Sequence, residues 1–221
     1  MIKAKPYKFL ISLCKKTQLK KVFLQAFFII CFIGVFHNSY AQLLDEKALK
    51  KTTKFSWEKA QEASPEKVLK LKLKEEEVVL FLEKIEAYTQ LQSLDVNNCN
   101  LSELPKEIFK LTNLQELIIS NNPIEIIPPE IGELKNLKWF YATFIKATTV
   151  PPSIKELKKL HTLFLWGSEI TYFPPEFLEL KSTLKVLNIR SVKMSKKAAK
   201  ELKNQLSDTR VRYSYRCDCS F

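Results

Sequence analysis

Residues 114–136 read LQELIISNNPIEIIPPEIGELKN. The opening alternates apolar and polar residues in a strand-like way, and the proline that follows at the next turn ends any pairing. The same stretch returns along the chain. Pro105, Pro128, Pro151 and Pro174 are each 23 residues apart, inside LPKEIFKL, IPPEIGEL, VPPSIKEL and FPPEFLEL. A fixed period of this size means stacked units.

The frame is set by the leucine that opens each unit: Leu91, Leu114, Leu137 and Leu160. Three residues on stand Leu94, Leu117, Phe140 and Leu163, and five on stand Val96, Ile119, Ala142 and Leu165. The slots 10, 13, 17 and 20 residues on are also apolar in every unit. The frame extends backward through Val68, Leu71, Leu73, Val78, Phe81 and Ile85. After one extra residue it extends forward to Leu184, Leu187, Ile189 and Met194.

This pattern, LxxLxLxx(N/C)xL followed by LPxxIxxL over roughly residues 68–194, resembles the leucine-rich repeat. The resemblance implies an α/β solenoid, an open horseshoe of about six repeats with N- and C-terminal caps. A parallel strand from each unit would line its concave face, and short helical or irregular segments would form its convex back. One unit alone cannot bury enough apolar surface to fold, so stacking must stabilise it. The family places Asn in the ninth slot, where its amide bonds the backbone of the next turn. Here that slot holds Cys99, Asn122, Ile145, Ser168 and Val192. Ile145 and Val192 cannot hydrogen-bond through their side chains, so distorted turns are expected there.

A solenoid must cover its open ends. Residues 42–67 read as an N-terminal helical cap, with Ser56 starting a short helix and Pro65 following it. The polar flank 42–54 is expected to be mobile. Residues 195–221 read as a C-terminal cap. Ser195 starts a helix with Ala199, Leu202 and Leu206 on one face. A closing strand, Thr209–Tyr215, follows, with Val211, Tyr213 and Tyr215 on one side and Arg210, Arg212 and Ser214 on the other. The chain then ends in the Cys217-Asp218-Cys219 tail.

The formal charge of +12 suggests nucleic acid or membrane partners at first sight. Seven of the 36 basic residues, however, lie in the first 41 positions, which hold no acid; without them the balance falls to +5. Those 41 residues have the layout of a secretory signal. Lysines lead into the apolar run VFLQAFFIICFIGVF, then Ser39 and Ala41 precede a cut at Gln42. The run spans 15 residues, short of the ~20 that cross a bilayer as a helix. Export is therefore expected, whether to the periplasm, the cell surface or the medium, with membrane contact only through the signal. The competing reading keeps residues 1–41 as an anchor on an intracellular scaffold. Finding Gln42 as the N-terminus of the native protein would exclude it.

Counting also sorts side chains into interior and hollow. The slots two, four, six and seven after each opening leucine point away from the core. In the first two units these are Ser93, Asp95, Asn97, Asn98, Glu116, Ile118, Ser120 and Asn121, none aromatic. In the next two they are Trp139, Tyr141, Thr143, Phe144, Thr162, Phe164, Trp166 and Gly167, five of them aromatic. Trp139, Tyr141, Phe144, Phe164 and Trp166 thus form the candidate partner-binding patch, bordered by Ile118 on one side and Asn188 and Arg190 on the other. Asp95 and Arg190 would set the partner's orientation. Aromatic-rich, charge-poor ground with a polar rim has the character of a binding hot spot. The alternative is that these rings fold over to fill gaps beside Ala142 and Ala147, Phe144 first.

Enzyme chemistry is not indicated. His161 is the one histidine beyond the leader, and the three glycines, Gly34, Gly132 and Gly167, build no phosphate loop. No cofactor and no metal site is expected. Cys99 should be a buried free thiol, roughly 19 Å from the tail cysteines at ~4.8 Å per strand. The reading is a binding module, expected to be a monomer, that takes a protein or peptide partner and no nucleic acid. A glycan or adhesion ligand is the alternative, because Trp and Tyr faces also stack on sugars.

Overall fold

Each repeat contributes one three-residue strand, and the counted interior residues meet across those strands. The structure is a computed structural model describing residues 42–214; the leader at 1–41 and Tyr215, Cys217 and Cys219 lie outside the described residues. The unit from Leu43 onward carries the fold. Eight strands run parallel in chain order: β1 (Phe55–Ser56), β2 (Lys70–Lys72), β3 (Ser93–Asp95), β4 (Glu116–Ile118), β5 (Trp139–Tyr141), β6 (Thr162–Phe164), β7 (Val186–Asn188) and β8 (Arg210–Arg212). The register joins Leu71, Leu94, Leu117, Phe140, Leu163, Leu187 and Val211 in one row. The first six are fully buried, and Val211 at the open end is half-buried. Leu101 and Phe173 are the counted interior positions that stay only partly buried.

The prolines shape the opposite face. Short 3-10 helices, Lys106–Lys110, Pro129–Glu133, Pro152–Glu156 and Pro175–Leu180, each begin directly after the periodic proline. A proline there loses no needed donor, since the first N–H groups of a helix have no internal partner. Each segment then drops Ile108, Ile131, Ile154 or Phe177 into the core. Exposed ion pairs such as Lys135–Glu156 and Lys158–Glu179 link neighbouring segments. They are solvent-screened and contribute little to stability.

The turns after the strands are regular, contrary to the distortion expected at Ile145 and Val192. The same slot is left-handed in five successive units: Asn98, Asn121, Phe144, Gly167 and Ser191 have φ of 57°, 56°, 53°, 72° and 55°. The reason is that the inter-unit ladder builds this turn. The Asn121 N–H donates to Thr143 O, Phe144 to Trp166, Gly167 to Arg190 and Ser191 to Ser214, at 2.9–3.0 Å. Side-chain support also comes from the following unit. Asn122 Oδ1 accepts from the N–H groups of Cys99 (2.9 Å) and Leu101 (3.0 Å). Its amide donates to Val96 O, Ile119 O and Ser120 O. Ser168 Oγ accepts from Ile145 N–H and donates to Ala142 O, so the unit holding Ile145 is served from outside.

Among the described residues, four α-helices complete the fold. α1 (Glu46–Lys51) is capped by Asp45, whose Oδ1 accepts from Ala48 N–H at 2.7 Å. The flank expected to be mobile is therefore folded in the structure, with Leu49 buried. α2 (Trp57–Glu62) follows Ser56, which makes no side-chain cap bond. Its Trp57 ring meets Phe81 of α3 (Val78–Leu82) at 5.8 Å and Tyr88 at 5.9 Å, covering the first core layer. At the other end α4 (Lys196–Gln205) is capped by Ser195 Oγ and buries Ala199 and Leu202, with Leu206 buried just beyond its end. The closing strand spans only Arg210–Arg212, shorter than the expected Thr209–Tyr215.

Candidate functional site

The sheet face divides into a polar half and an aromatic half, and the chain itself occupies the first. Leu44 N–H donates to Gln92 Oε1 (2.9 Å), and Gln115 Nε2 donates to Leu44 O (3.0 Å). Lys70 Nζ donates to Leu49 O at 3.2 Å, and Lys54 pairs with Asp95 Oδ2 at 3.0 Å. These bonds tie the segment from Leu44 to Lys54 to β2, β3 and the start of β4. The outward side chains Ser93 and Asp95 are consequently buried. Asp95, expected to orient a partner together with Arg190, is consumed internally.

The aromatic half remains partly open. Tyr141 and Phe164 are register partners, and their rings meet edge to face with centroids 5.2 Å apart. Phe144 and Trp166 form a second pair, 4.8 Å apart and tilted by 58°. Trp166 is 40 % and Phe144 46 % exposed, while Trp139, Tyr141 and Phe164 are half-buried. Ile118 is half-buried beside Tyr141 in register. The Arg190 guanidinium lies 5.6 Å from the Trp166 ring, held by an Nε bond to Asn188 Oδ1 at 3.2 Å. Lys138 Nζ stands 5.7 Å from the Trp139 ring.

Between α1 and the last strands lies a recess of about 260 Å³. Leu49 faces it from α1, and Trp139, Tyr141, Phe164 and Arg212 face it from the sheet. Burial pushes the Tyr141 phenol above its ordinary pKa, with Glu116 and Glu46 adding to the effect. It therefore stays neutral, a hydrogen-bond donor beside the Phe164 ring. Arg212 was read from sequence as part of a cap. The alternation that placed it opposite Val211 was the signal, since β8 continues the sheet and the opposite side of Val211 is the open face.

Phe144 reaches its place because of the next unit's glycine. A Cβ at Gly167 would lie 2.5 Å from two ring carbons of Phe144. The ring therefore rests on bare backbone and turns toward Trp166. Phe144 covers a gap in the following turn while remaining on the rim.

The other chemistry-bearing groups are placed apart from this surface. His161 is exposed, its Nδ1 2.6 Å from Lys159 O. Cys99 is a buried free thiol, pushed up to about 11 by burial first and then by Asp95 and the Glu75–Glu77 run. Among the described residues, no helix is long and apolar enough to cross a membrane.

A family model described as a leucine-rich repeat region matches residues 64–211. No curated protein matches the sequence. Among solved structures, a leucine-rich-repeat protein of Leptospira interrogans is similar at 28 % identity with a TM-score of 0.50, covering 58 % of this chain. Internalin C2 of Listeria monocytogenes is similar in fold at 18 % identity, also with a TM-score of 0.50, covering 67 % of this chain. This chain spans 38 % of the first and 62 % of the second. A family model matched over more than half its length, on a sheet whose units repeat in register, places the chain in the leucine-rich-repeat family.

Proposed function

We propose that this protein is an exported binding module that holds a protein or peptide partner against the aromatic half of its sheet face. The family is typically a non-enzymatic scaffold for protein interaction. Repeat proteins of this kind offer extended concave surfaces for binding. Export rests on the signal layout of residues 1–41.

The observation that carries the reading is the paired rings on an outward face. A ring that merely filled a gap would be buried, yet Trp166 remains 40 % exposed beside Phe144 and under Arg190. Half-exposed Trp and Tyr anchors with an Arg at the rim are the residue types in which binding energy concentrates. Their edge-to-face and tilted packing leaves ridges and slots, which suit protein side chains better than the flat face of a sugar.

The test is a paired substitution, Trp139→Ala with Trp166→Ala, in the exported protein cross-linked in its native setting. Loss of the cross-linked partner with an unchanged melting temperature is the expected result. Normal capture by the double variant would refute the surface. A cross-linked species that survives protease treatment of the ligand would favour the glycan reading instead.

A further inference from the structure

We infer that the partner segment is acidic: a peptide whose carboxylates meet Arg190, Arg210 and Arg212 while its apolar side chains pack on Phe164 and Trp166. This rests on the binding surface proposed above and adds the chemistry of its occupant. β8 pairs Val186 with Arg210 and Asn188 with Arg212. Val186 and Asn188 stand in outward slots, so both arginines project over the same face. Arg212 reaches the recess lined by Trp139, Tyr141 and Phe164. Arg190 completes the set above Trp166.

Several lysines, Lys70 and Lys138 among them, also lack a carboxylate partner among the described residues, but the three guanidiniums are gathered at one end of the outward face. On the sheet face Lys54 is matched by Asp95, and on the back Lys135, Lys158 and Lys193 are matched by Glu156, Glu179 and Glu169. Among the described residues, Arg190, Arg210 and Arg212 make no ion pair. Arginine stays protonated at any physiological pH, so it cannot relieve this by losing its charge. A carboxylate beside it gains charge-assisted, often bidentate hydrogen bonds.

The opposite wall gives the segment a direction. Glu46 and Glu116 also face the recess, from α1 and β4. Glu46 is paired with Lys50, whereas Glu116 takes a hydrogen bond from Ser93 and no ion pair among the described residues. Lys50 and Lys70 face the recess at that end as well and offset the two acids, so an acidic side chain is drawn to the arginines at the β7 and β8 end, where no acid among the described residues faces the recess. Phe164 on β6 and Arg212 on β8 are two strand steps apart, about 10 Å at ~4.8 Å per step. An extended peptide crosses that distance in about three residues. The recognised pattern is therefore an aromatic or aliphatic residue with Asp or Glu about three positions away.

The experiment is a selection from a random displayed peptide library on the full chain, followed by binding of synthetic winners to variants. The expected result is enrichment of Asp and Glu at that spacing from an apolar residue. Affinity should then fall by about tenfold or more in Arg210→Glu/Arg212→Glu, the scale of a lost charge-assisted hydrogen bond. If that variant fails to fold, Arg190→Gln and Arg212→Gln, which add no new charge, carry the same comparison. Neutral or basic winners that still depend on Trp166 would overturn the acidic class and leave the binding surface standing. Acidic winners indifferent to all three arginines would also overturn it, as would equal binding of heparin, which marks a general polyanion site. If no peptide is enriched, the proposed function falls and this inference with it.

Discussion

Replacing Gly167 by alanine separates two reasons for a glycine at that position. The turn alone does not demand one, because Asn98, Asn121, Phe144 and Ser191 hold the same left-handed slot without it. That conformation costs an alanine roughly 1 kcal/mol. The ring of Phe144 adds a second cost: a new Cβ would sit 2.5 Å from two of its carbons, where carbon contacts settle near ~3.5–4.0 Å. The ring must retreat by about 1 Å, which spoils its packing on Trp166, worth about 1 kcal/mol. Gly167→Ala should therefore cost about 2–3 kcal/mol in the natural chain but only about 1 kcal/mol in a Phe144→Ala background. Urea unfolding of the four proteins of this cycle measures the difference directly. Near-ultraviolet circular dichroism should report the disturbed Phe144–Trp166 pair in the single variant. Costs that add to within about 0.5 kcal/mol would mean that the ring and the glycine are independent, and the reasoning would be refuted.

Asn122→Ala leaves the N–H groups of Cys99 and Leu101 without their acceptor in a buried turn. It should cost about 2–4 kcal/mol in urea unfolding and speed hydrogen exchange at those two amides, with Ser168→Ala costing about half as much. The Cys99 thiol, raised to about 11, contributes stability that is fully present below the ordinary thiol pKa and is lost as pH rises through about 11. The melting temperature of a Cys99→Ala variant should consequently fall less steeply than that of the natural chain between about pH 9 and 11. A thiol reagent at neutral pH should react with Cys99 only as fast as the protein opens.

How much of this was legible follows from what the 23-residue period controls. Counting from Leu91 sorted Leu94, Leu117, Phe140 and Leu163 inward, and all four are fully buried. It also sets Tyr141 beside Phe164, because similar units stacked in register must bring equal slots together. The rule about the ninth slot misled for a physical reason. A lone Asn looks indispensable if each turn depends on its own side chain, but here the backbone ladder makes the turn and the following unit supplies the side chain. Ile145 is therefore tolerated because Ser168 bonds its N–H.

The docking of α1 was not legible, because it obeys no period. Residues 43–54 carry little more than Leu43, Leu44 and Leu49 as apolar anchors, and the partners of Leu44 lie far away in sequence. Leu44 bonds Gln92, 48 residues on, and Gln115, 71 residues on. A trace existed nonetheless. The slot after the opening leucine reads Gln92, Gln115, Lys138, His161 and Lys185 along the units. Only the two glutamines present an amide that can both donate to and accept from a backbone, so only that end of the sheet can clasp a passing chain. The same contrast explains why the aromatic half is left open. Past Gln115 the slot offers cations and a histidine instead of amides, and nothing there can hold the backbone of the N-terminal segment. α1 therefore stops short of β6 to β8. The rings of Phe164 and Trp166 and the arginines beyond them remain uncovered by the segment that closes the other half, which is the arrangement a second chain would need in order to bind.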